Sequence, residues 1–508
     1  MDTDDLDKKS DNQLWAMLSQ VENEDKVDVL AELSIRKEAS QEYIDAASLA
    51  YQAALEAELV MSSTVVQSFY YKQGVNLWRS EQFTEAIEAF QVGVSKYSEP
   101  DDKVELSKNY WGIADSYFQI ASYELASEVA AKSVEYAVAS EDFDLAGLSK
   151  FLQAKALDYW GREEEAIQAC FEARSFRRKT QNLGAVAEID DYMAGIHTFL
   201  GQYDMATQLH RNCLVLADAT GKDQAYHNFR LGNSLLDEQQ WHEARNHLHT
   251  ARALYANLDG FLASVADCDY SLSFTYRDDP EIENALNHAR AATSLFDALG
   301  RDVSYIKGLA RIAYLLFSAE RYFDAIEINQ RIIDSIGEPT SENSAFSAGW
   351  AELRIADTWI QLNRWDLVLE KLEESRHFGH SSTHPGRWWF AAMKARALYA
   401  LDRHEEAMGV ADAGLALTQD SDVSRHTAYL YEIKARVFLE LGKPDRERHL
   451  AHAISLHLAL GDTAIARELA EYFKPDFSPQ IEESILNPVT DSGKKSEEPI
   501  SFGFKPLN

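Results

Sequence analysis

The sequence predicts an all-α fold, a right-handed α-solenoid of about eleven stacked helical hairpins. Three observations carry that prediction. First, a bulky residue stands three places before an alanine again and again, at Tyr43/Ala46, Phe83/Ala86, Tyr123/Ala126, Tyr203/Ala206, Trp241/Ala244 and Tyr322/Ala325. Taking the alanine place as an anchor gives Ala46, Ala86, Ala126, Ala166, Ala206, Ala244, Ala285, Ala325, Val368, Ala407 and Glu447, spaced 38 to 43 residues apart. Second, the residue twelve before each anchor is always small: Ser34, Gly74, Ala114, Ala154, Ala194, Gly232, Ser273, Ala313, Ala356, Ala395 and Ala435. Third, strand signals are absent. A period of this length marks chains in which each unit buries its apolar face only against its neighbours.

Each element follows from that pattern. Residues 1–24, acidic at Asp2, Asp4, Asp5 and Asp7, are expected to cap the N-terminal end, because a stack of hairpins needs a polar outer face there. Residues 25–461 form the solenoid. Within each repeat, small residues on both helices let the backbones approach, and the bulky residue fills the turn. An anchor and the residue four later share a helix face, as Ala86 does with Phe90 and Ala244 with Leu248. Gly184, Gly221, Gly260, Gly300 and Gly461 are expected where second helices end, since glycine takes the left-handed conformation readily. The last repeat departs, with Pro444 and Glu447 in the aromatic and alanine places. Residues 462–473 read as a C-terminal capping helix with Asp462 as its N-cap. Five of the ten prolines fall between Lys474 and Asn508, so 474–508 is expected to be a disordered tail.

Paired helices, the segment Tyr71-Lys72-Gln73-Gly74 with Trp78, Phe83, Ala86 and Phe90, and Tyr117 in the next repeat resemble the tetratricopeptide repeat. The resemblance covers about residues 25–473. Its period is near 40 rather than the usual figure of about 34, which is similar to the long variant of peptide-pheromone receptors and cell-polarity adaptors. It implies a concave groove lined by the first helices of successive repeats, able to hold a peptide or a partner helix.

Composition narrows the function. The 508 residues carry 83 acidic against 49 basic side chains, a formal charge of −34. Nucleic-acid affinity comes largely from Lys and Arg displacing counterions, so nucleic acid and anionic membranes are both disfavoured. Three cysteines (Cys170, Cys213, Cys268) are too few for a disulfide framework, the N-terminus lacks a signal peptide's basic and apolar regions, and no stretch is long and apolar enough to span a membrane. A cytoplasmic protein is expected. No phosphate loop, nucleophile elbow or Cys-x-x-Cys pair occurs, so neither catalysis nor a cofactor is expected. His242 and His247 lie five apart, about 140° around a helix, and do not chelate together. His449 with His452, and the loop histidines His377, His380 and His384, read as capping or solvated side chains rather than metal ligands.

The candidate site is a stripe 18, 15, 11 and 8 residues before each anchor. It carries Tyr71, Trp78, Trp111, Phe118, Phe151, Asp191, Phe229, Tyr270, Trp350, Trp389, Arg396 and Arg436. Aromatic side chains give large contact area at low rotamer cost and are enriched at binding hot spots. Asp115, Asp158, Asp191, Asp357 and Glu188 add acidity, so the partner expected has basic and apolar side chains. A Lys/Asn carboxylate clamp is absent, with only Asn233 in place. Arg396 and Arg436 are candidates to share one carboxylate, and pairing of an arginine with Glu432 is the alternative. Burial of all the rings against neighbouring repeats is the alternative for the aromatic stripe. The function expected is a protein–protein adaptor or scaffold binding a peptide or helix in an aromatic, acidic groove. The alternative is a peptide-sensing regulator that switches a partner through a change in solenoid shape. A third possibility is that the segment from Ile500 to Leu507 occupies the groove itself.

Overall fold

The computed structural model describes residues 6–96, 103–217, 221–276, 281–339, 341–375, 386–417, 424–443 and 446–472. These residues are helical or in turns, with no strand among them. The chain divides into two compact units, Met1–Ser271 and Leu272–Asn508.

Unit 1 opens with a 3-10 turn at Leu6–Lys8 and α1 (Asp11–Met17), then runs as antiparallel pairs. These are α2 and α3 (Asn23–Ala39, Tyr43–Val60), α4 and α5 (Ser63–Arg79, Phe83–Ser95), α6 and α7 (Lys103–Gln119, Tyr123–Ala139). They continue as α8 and α9 (Phe143–Tyr159, Glu163–Lys179), α10 and α11 (Leu183–Phe199, Tyr203–Leu216), α12 and α13 (Gly221–Asp237, Trp241–Ala256), and then α14 (Leu262–Leu272), whose last residue lies past the division. Unit 2 holds α15 (Ile282–Ala298), then α16 and α17 (Asp302–Ser318, Tyr322–Ile336), and α18 and α19 (Glu342–Gln361, Trp365–Glu374). It ends with α20 and α21 (Arg387–Ala400, His404–Leu415), α22 and α23 (Arg425–Glu440, Arg446–Ala459) and α24 (Thr463–Tyr472). Even-numbered helices from α2 to α22 are the first helices of the repeats. In unit 1, α4 touches α6 and α6 touches α8; in unit 2, α16, α18, α20 and α22 touch in turn. First helices therefore crowd along one side of each unit.

The turn inside each hairpin explains the regular spacing. The residue five before the anchor is left-handed in ten repeats: Gln41, Glu81, Ala121, Gly161, Gly201, Gln239, Glu320, Asn363, Asp402 and Gly442. The next amide reaches back five residues to close the first helix, as Gln82 N does to Leu77 O at 2.9 Å and Arg364 N to Trp359 O at 2.9 Å. That is the Schellman arrangement, which satisfies carbonyls a helix end otherwise leaves open. Only three of the ten are glycine; the others accept a conformation that costs a side-chain-bearing residue about 1 kcal/mol.

The small residues sit where the backbones meet. All ten anchors from Ala46 to Ala407 are inaccessible to solvent. Gly74 and Gly112 both abut the buried Phe90 ring, and a Cβ at either would stand 2.5 Å from it. Burying that phenylalanine contributes roughly 1.5–3 kcal/mol. Between repeats, Arg174 donates to the buried Asp190 at 2.8 Å, and Arg252 to the buried Asp269 at 2.7 Å. Both arginines stand eight after their anchor and both aspartates sixteen before the next, so one buried ion pair recurs in register.

Three expectations are corrected. Gly184 and Gly221 do not close second helices. Gly221 opens α12, and Gly184 lies in the first turn of α10, where Asn182 caps the Ala185 amide and the left-handed place is Gln181. Glu447 is exposed, and the buried face of α23 falls instead on Leu450, Ala453, Ile454 and His457. Asp462 precedes α24, but its carboxylate accepts from Arg425 at 2.9 and 3.0 Å rather than from the helix amides. At the other end, α1 buries Leu14 and Met17 against α2, with Ser10 and Gln13 forming a capping box. Residues 474–508, and with them Ile500–Leu507, lie outside the described residues, as do His377, His380 and His384. No helix among the described residues is long and apolar enough to cross a membrane.

Candidate functional site

In unit 1 the stripe runs over α4 to α14. Tyr71, Trp78, Trp111, Phe118, Phe229 and Tyr270 are half-buried, so each keeps part of its ring at the surface. Tyr71 leans on Phe90 with ring centres 5.7 Å apart, and Trp78 meets Phe83 edge-on at 6.3 Å. Phe118 packs edge-on against Tyr123 and Tyr159 at 5.5 and 5.3 Å. Phe151 is the correction. It is 6% exposed, covered by the Tyr192 ring at 5.5 Å and by Lys155 Nζ, 4.2 Å from its centre. It belongs to the core of its repeat and offers no docking surface.

The acids of this stripe already have partners. Asp191 accepts from Arg230 Nε and from the Tyr226 hydroxyl, both at 2.8 Å. His210 lies 3.4 Å from Asp191, and burial, aided by Arg230, pushes its pKa down to about 4, so it is neutral at pH 7. Asp158 accepts from the Tyr192 hydroxyl at 2.6 Å, and burial raises its carboxyl above the ordinary range. Burial likewise raises Asp115, against the pull of Lys155, and takes Asp237 up to about 6 against the pull of Arg230.

In unit 2 the stripe is different in kind. Trp350 and Trp389 pack at 5.1 Å, and His426 stacks on Trp389 at 5.3 Å. Arg396 lies over the Tyr429 ring at 4.4 Å and near Trp365 at 5.8 Å, and it makes no ion pair among the described residues. Arg354 and Arg311 lie over Tyr314 at 6.0 and 5.3 Å, and Arg311 also over Phe274 at 3.9 Å. Burial raises the Asp357 carboxyl while Arg396 and Arg354 pull it back. Arg436 donates to Glu432 at 2.8 Å, four residues earlier on α22. Burial alone would raise Glu432, but His457 and Arg436 hold it below the ordinary value. Arg436 is thus paired with Glu432, the alternative expected, while Arg396 acts on Glu432 only at longer range.

Tyr192, Arg230, Arg311 and Arg354 were not foreseen as stripe residues. All four stand fourteen before their anchors, one place from the column chosen. The signal was available, since fourteen and eleven are three apart and so share a helix face. Among the described residues no group of three or more His, Cys, Asp or Glu is placed to hold a metal. His449 and His452 pack on Tyr431 at 6.1 and 4.9 Å. The three cysteines are buried, and burial pushes each thiol up to about 12.

No protein-family model matches the chain, and no curated protein matches it. Similar solved structures include the apo form of RapI, 14% identical, covering 53% of this chain and 97% of that one at a TM-score of 0.40. Another is the apo form of the quorum sensor NprR from B. thuringiensis, 15% identical, covering 64% and 92% at 0.44. A third is the C-terminal part of a TPR repeat-containing protein from Cytophaga hutchinsonii, 17% identical, covering 55% and 98% at 0.39.

Proposed function

We propose that the chain is a protein-interaction scaffold whose first-helix stripes hold segments of partner proteins, without chemistry of its own. The observation that carries the reading is the row of half-exposed rings and charged groups on successive first helices, where the second helices supply the packing. In unit 1 the stripe suits an apolar segment, because Asp158 and Asp191 are engaged internally by Tyr192, Tyr226 and Arg230. In unit 2 the Arg396 guanidinium lies over Tyr429, feels Asp357 and Glu432 only at longer range and makes no ion pair among the described residues, which suits a partner that brings an acidic side chain beside an apolar one. For this stripe we therefore favour an acidic partner over the basic one expected from the stripe acids Asp115, Asp158, Asp191, Asp357 and Glu188.

Affinity capture tests it, with wild type beside Trp389→Ala/Arg396→Ala and Trp111→Ala/Phe229→Ala, read by quantitative mass spectrometry. A protein retained by wild type and reduced at least tenfold by one double variant supports the reading, with far-UV circular dichroism showing the fold intact. Capture profiles identical for all three chains would remove it.

A further inference from the structure

Outside the stripes, the turns of three successive hairpins in unit 1 carry large apolar side chains in the open. Seven and six residues before their anchors stand Gln119 and Ile120, Tyr159 and Trp160, and Phe199 and Leu200. All but Gln119 are exposed apolar side chains, Phe199 at 60%, and Tyr203 extends the row. A contiguous exposed apolar patch on a water-soluble surface marks an interaction site more often than chance. The rings are also held in place. Tyr159 rests on Phe118 and Tyr123, each 5.3 Å away, and the Arg162 guanidinium lies 4.8 Å from the Trp160 ring.

A second observation bears on the same edge. The left-handed place of these turns is glycine at Gly161 and Gly201 and alanine at Ala121, while Gln41, Glu81, Gln239 and Glu320 fill it in other repeats and Gly442 in one. The backbone conformation therefore does not demand glycine here. A Cβ at either position would meet nothing within 4 Å, so these residues leave the edge flat beside the rings.

Charge decides the occupant. The three turn regions 119–126, 159–166 and 199–206 carry five acids and one base. That base, Arg162, is paired with Glu165. A second copy of this chain, itself at −34, would bring like charge to that rim, and anionic lipid would do the same. First helices about 10 Å apart place the three turns across roughly 20 Å, the length of about four turns of helix. We infer that this edge docks a basic amphipathic helix of a partner protein, with apolar residues on the rings and Lys or Arg over the acidic rim. The site lies outside both stripes and does not depend on their function.

The test uses the full chain and a fluorescein-labelled amphipathic helix of fifteen residues built from leucine and lysine, with a leucine/glutamate helix of the same pattern as its counterpart. Anisotropy at about 0.15 M salt, where long-range attraction to net charge is screened beyond roughly 8 Å, gives the affinities. The variant Tyr159→Ser/Trp160→Ser/Phe199→Ser keeps every charge and is expected to bind the lysine helix at least tenfold more weakly than wild type. Leu59→Ser, an apolar residue 78% exposed on α3, is expected to stay within twofold. The glutamate helix is expected to bind wild type at least tenfold more weakly. Equal affinity of wild type and triple variant overturns the inference. So does sedimentation showing that wild type self-associates through these three residues, or their requirement for binding phosphatidylcholine/phosphatidylglycerol vesicles. Should the triple variant fold poorly, Trp160→Ser alone is read in the same way, with at least a threefold loss expected.

Discussion

The two units use one register of small residues and turns to carry opposite chemistry on their first helices. In unit 1 the acids Asp158 and Asp191 are satisfied by hydroxyls and a guanidinium from the next first helix, and the rings lean on other rings, Tyr71 within its hairpin and Phe118 also across to the next. In unit 2 Arg311, Arg354 and Arg396 lie over rings, and Arg396 makes no ion pair among the described residues. The packing columns are the same; the stripe is free to differ. Residues facing away from the small-residue columns are not needed to bring helices together, so a repeat can exchange an aspartate for an arginine there without losing its place in the stack.

The largest expected effect would come from breaking what the units share. Gly112→Val places a branched side chain against the Phe90 ring already held by Gly74, and is expected to cost about 3 kcal/mol, near the upper end for overpacking. Urea denaturation followed by circular dichroism checks it; a midpoint equal to wild type would mean that the close approach carries little of the stability.

The middle-sized effect separates the units. Arg230→Met leaves Asp191 with the Tyr226 hydroxyl alone, at an expected cost of about 1–2 kcal/mol. Arg396→Met removes ring contacts and a longer-range pull on Asp357 and Glu432, but no ion pair among the described residues, at an expected cost of about 0.5–1 kcal/mol. The same urea measurement on both variants is enough. Equal losses would erase the distinction drawn between the two stripes.

The smallest effect depends on pH. The Asp237 carboxyl rises from 3.8 to about 6 in the folded chain, because burial disfavours its charged form. Its contribution to stability is therefore complete below pH 3.8 and is lost as pH rises through about 6. Asp237→Asn is expected to raise the urea midpoint slightly at pH 7.5 and to match wild type near pH 3.5. The side chain keeps solvent access, which keeps the gain small. A gain of the same size at both pH values would point to hydrogen bonding by the amide instead of relief of a partly desolvated charge.

Much of the repeat was legible because it is built from steric rules that act within one hairpin. A small residue at Gly74 and an alanine at Ala86 announce a close approach whatever lies around them, and ten of the eleven anchor places are buried as the spacing implies. The site was legible only in part. Tyr71, Trp111 and Phe229 keep part of their surface open, but Phe151 shares their column fifteen before the anchor and is sealed, since Tyr192 on the next first helix closes over it. The left-handed turn residues escaped notice because Gln41, Glu81 and Asn363 carry no glycine to mark them.

By itself, then, the order of residues determined the helix pairs, their period and the columns that bury. The tertiary structure decided which acids are spent on internal partners, which ring is covered, and which turns present an apolar edge. The physical reason is distance along the chain. Arg230 with Asp191 and Tyr192 with Asp158 join residues 39 and 34 apart, so their pairing depends on how one hairpin settles on the next. Helix formation and close approach within a hairpin depend on neighbours a few places away, and those can be read in a line of text.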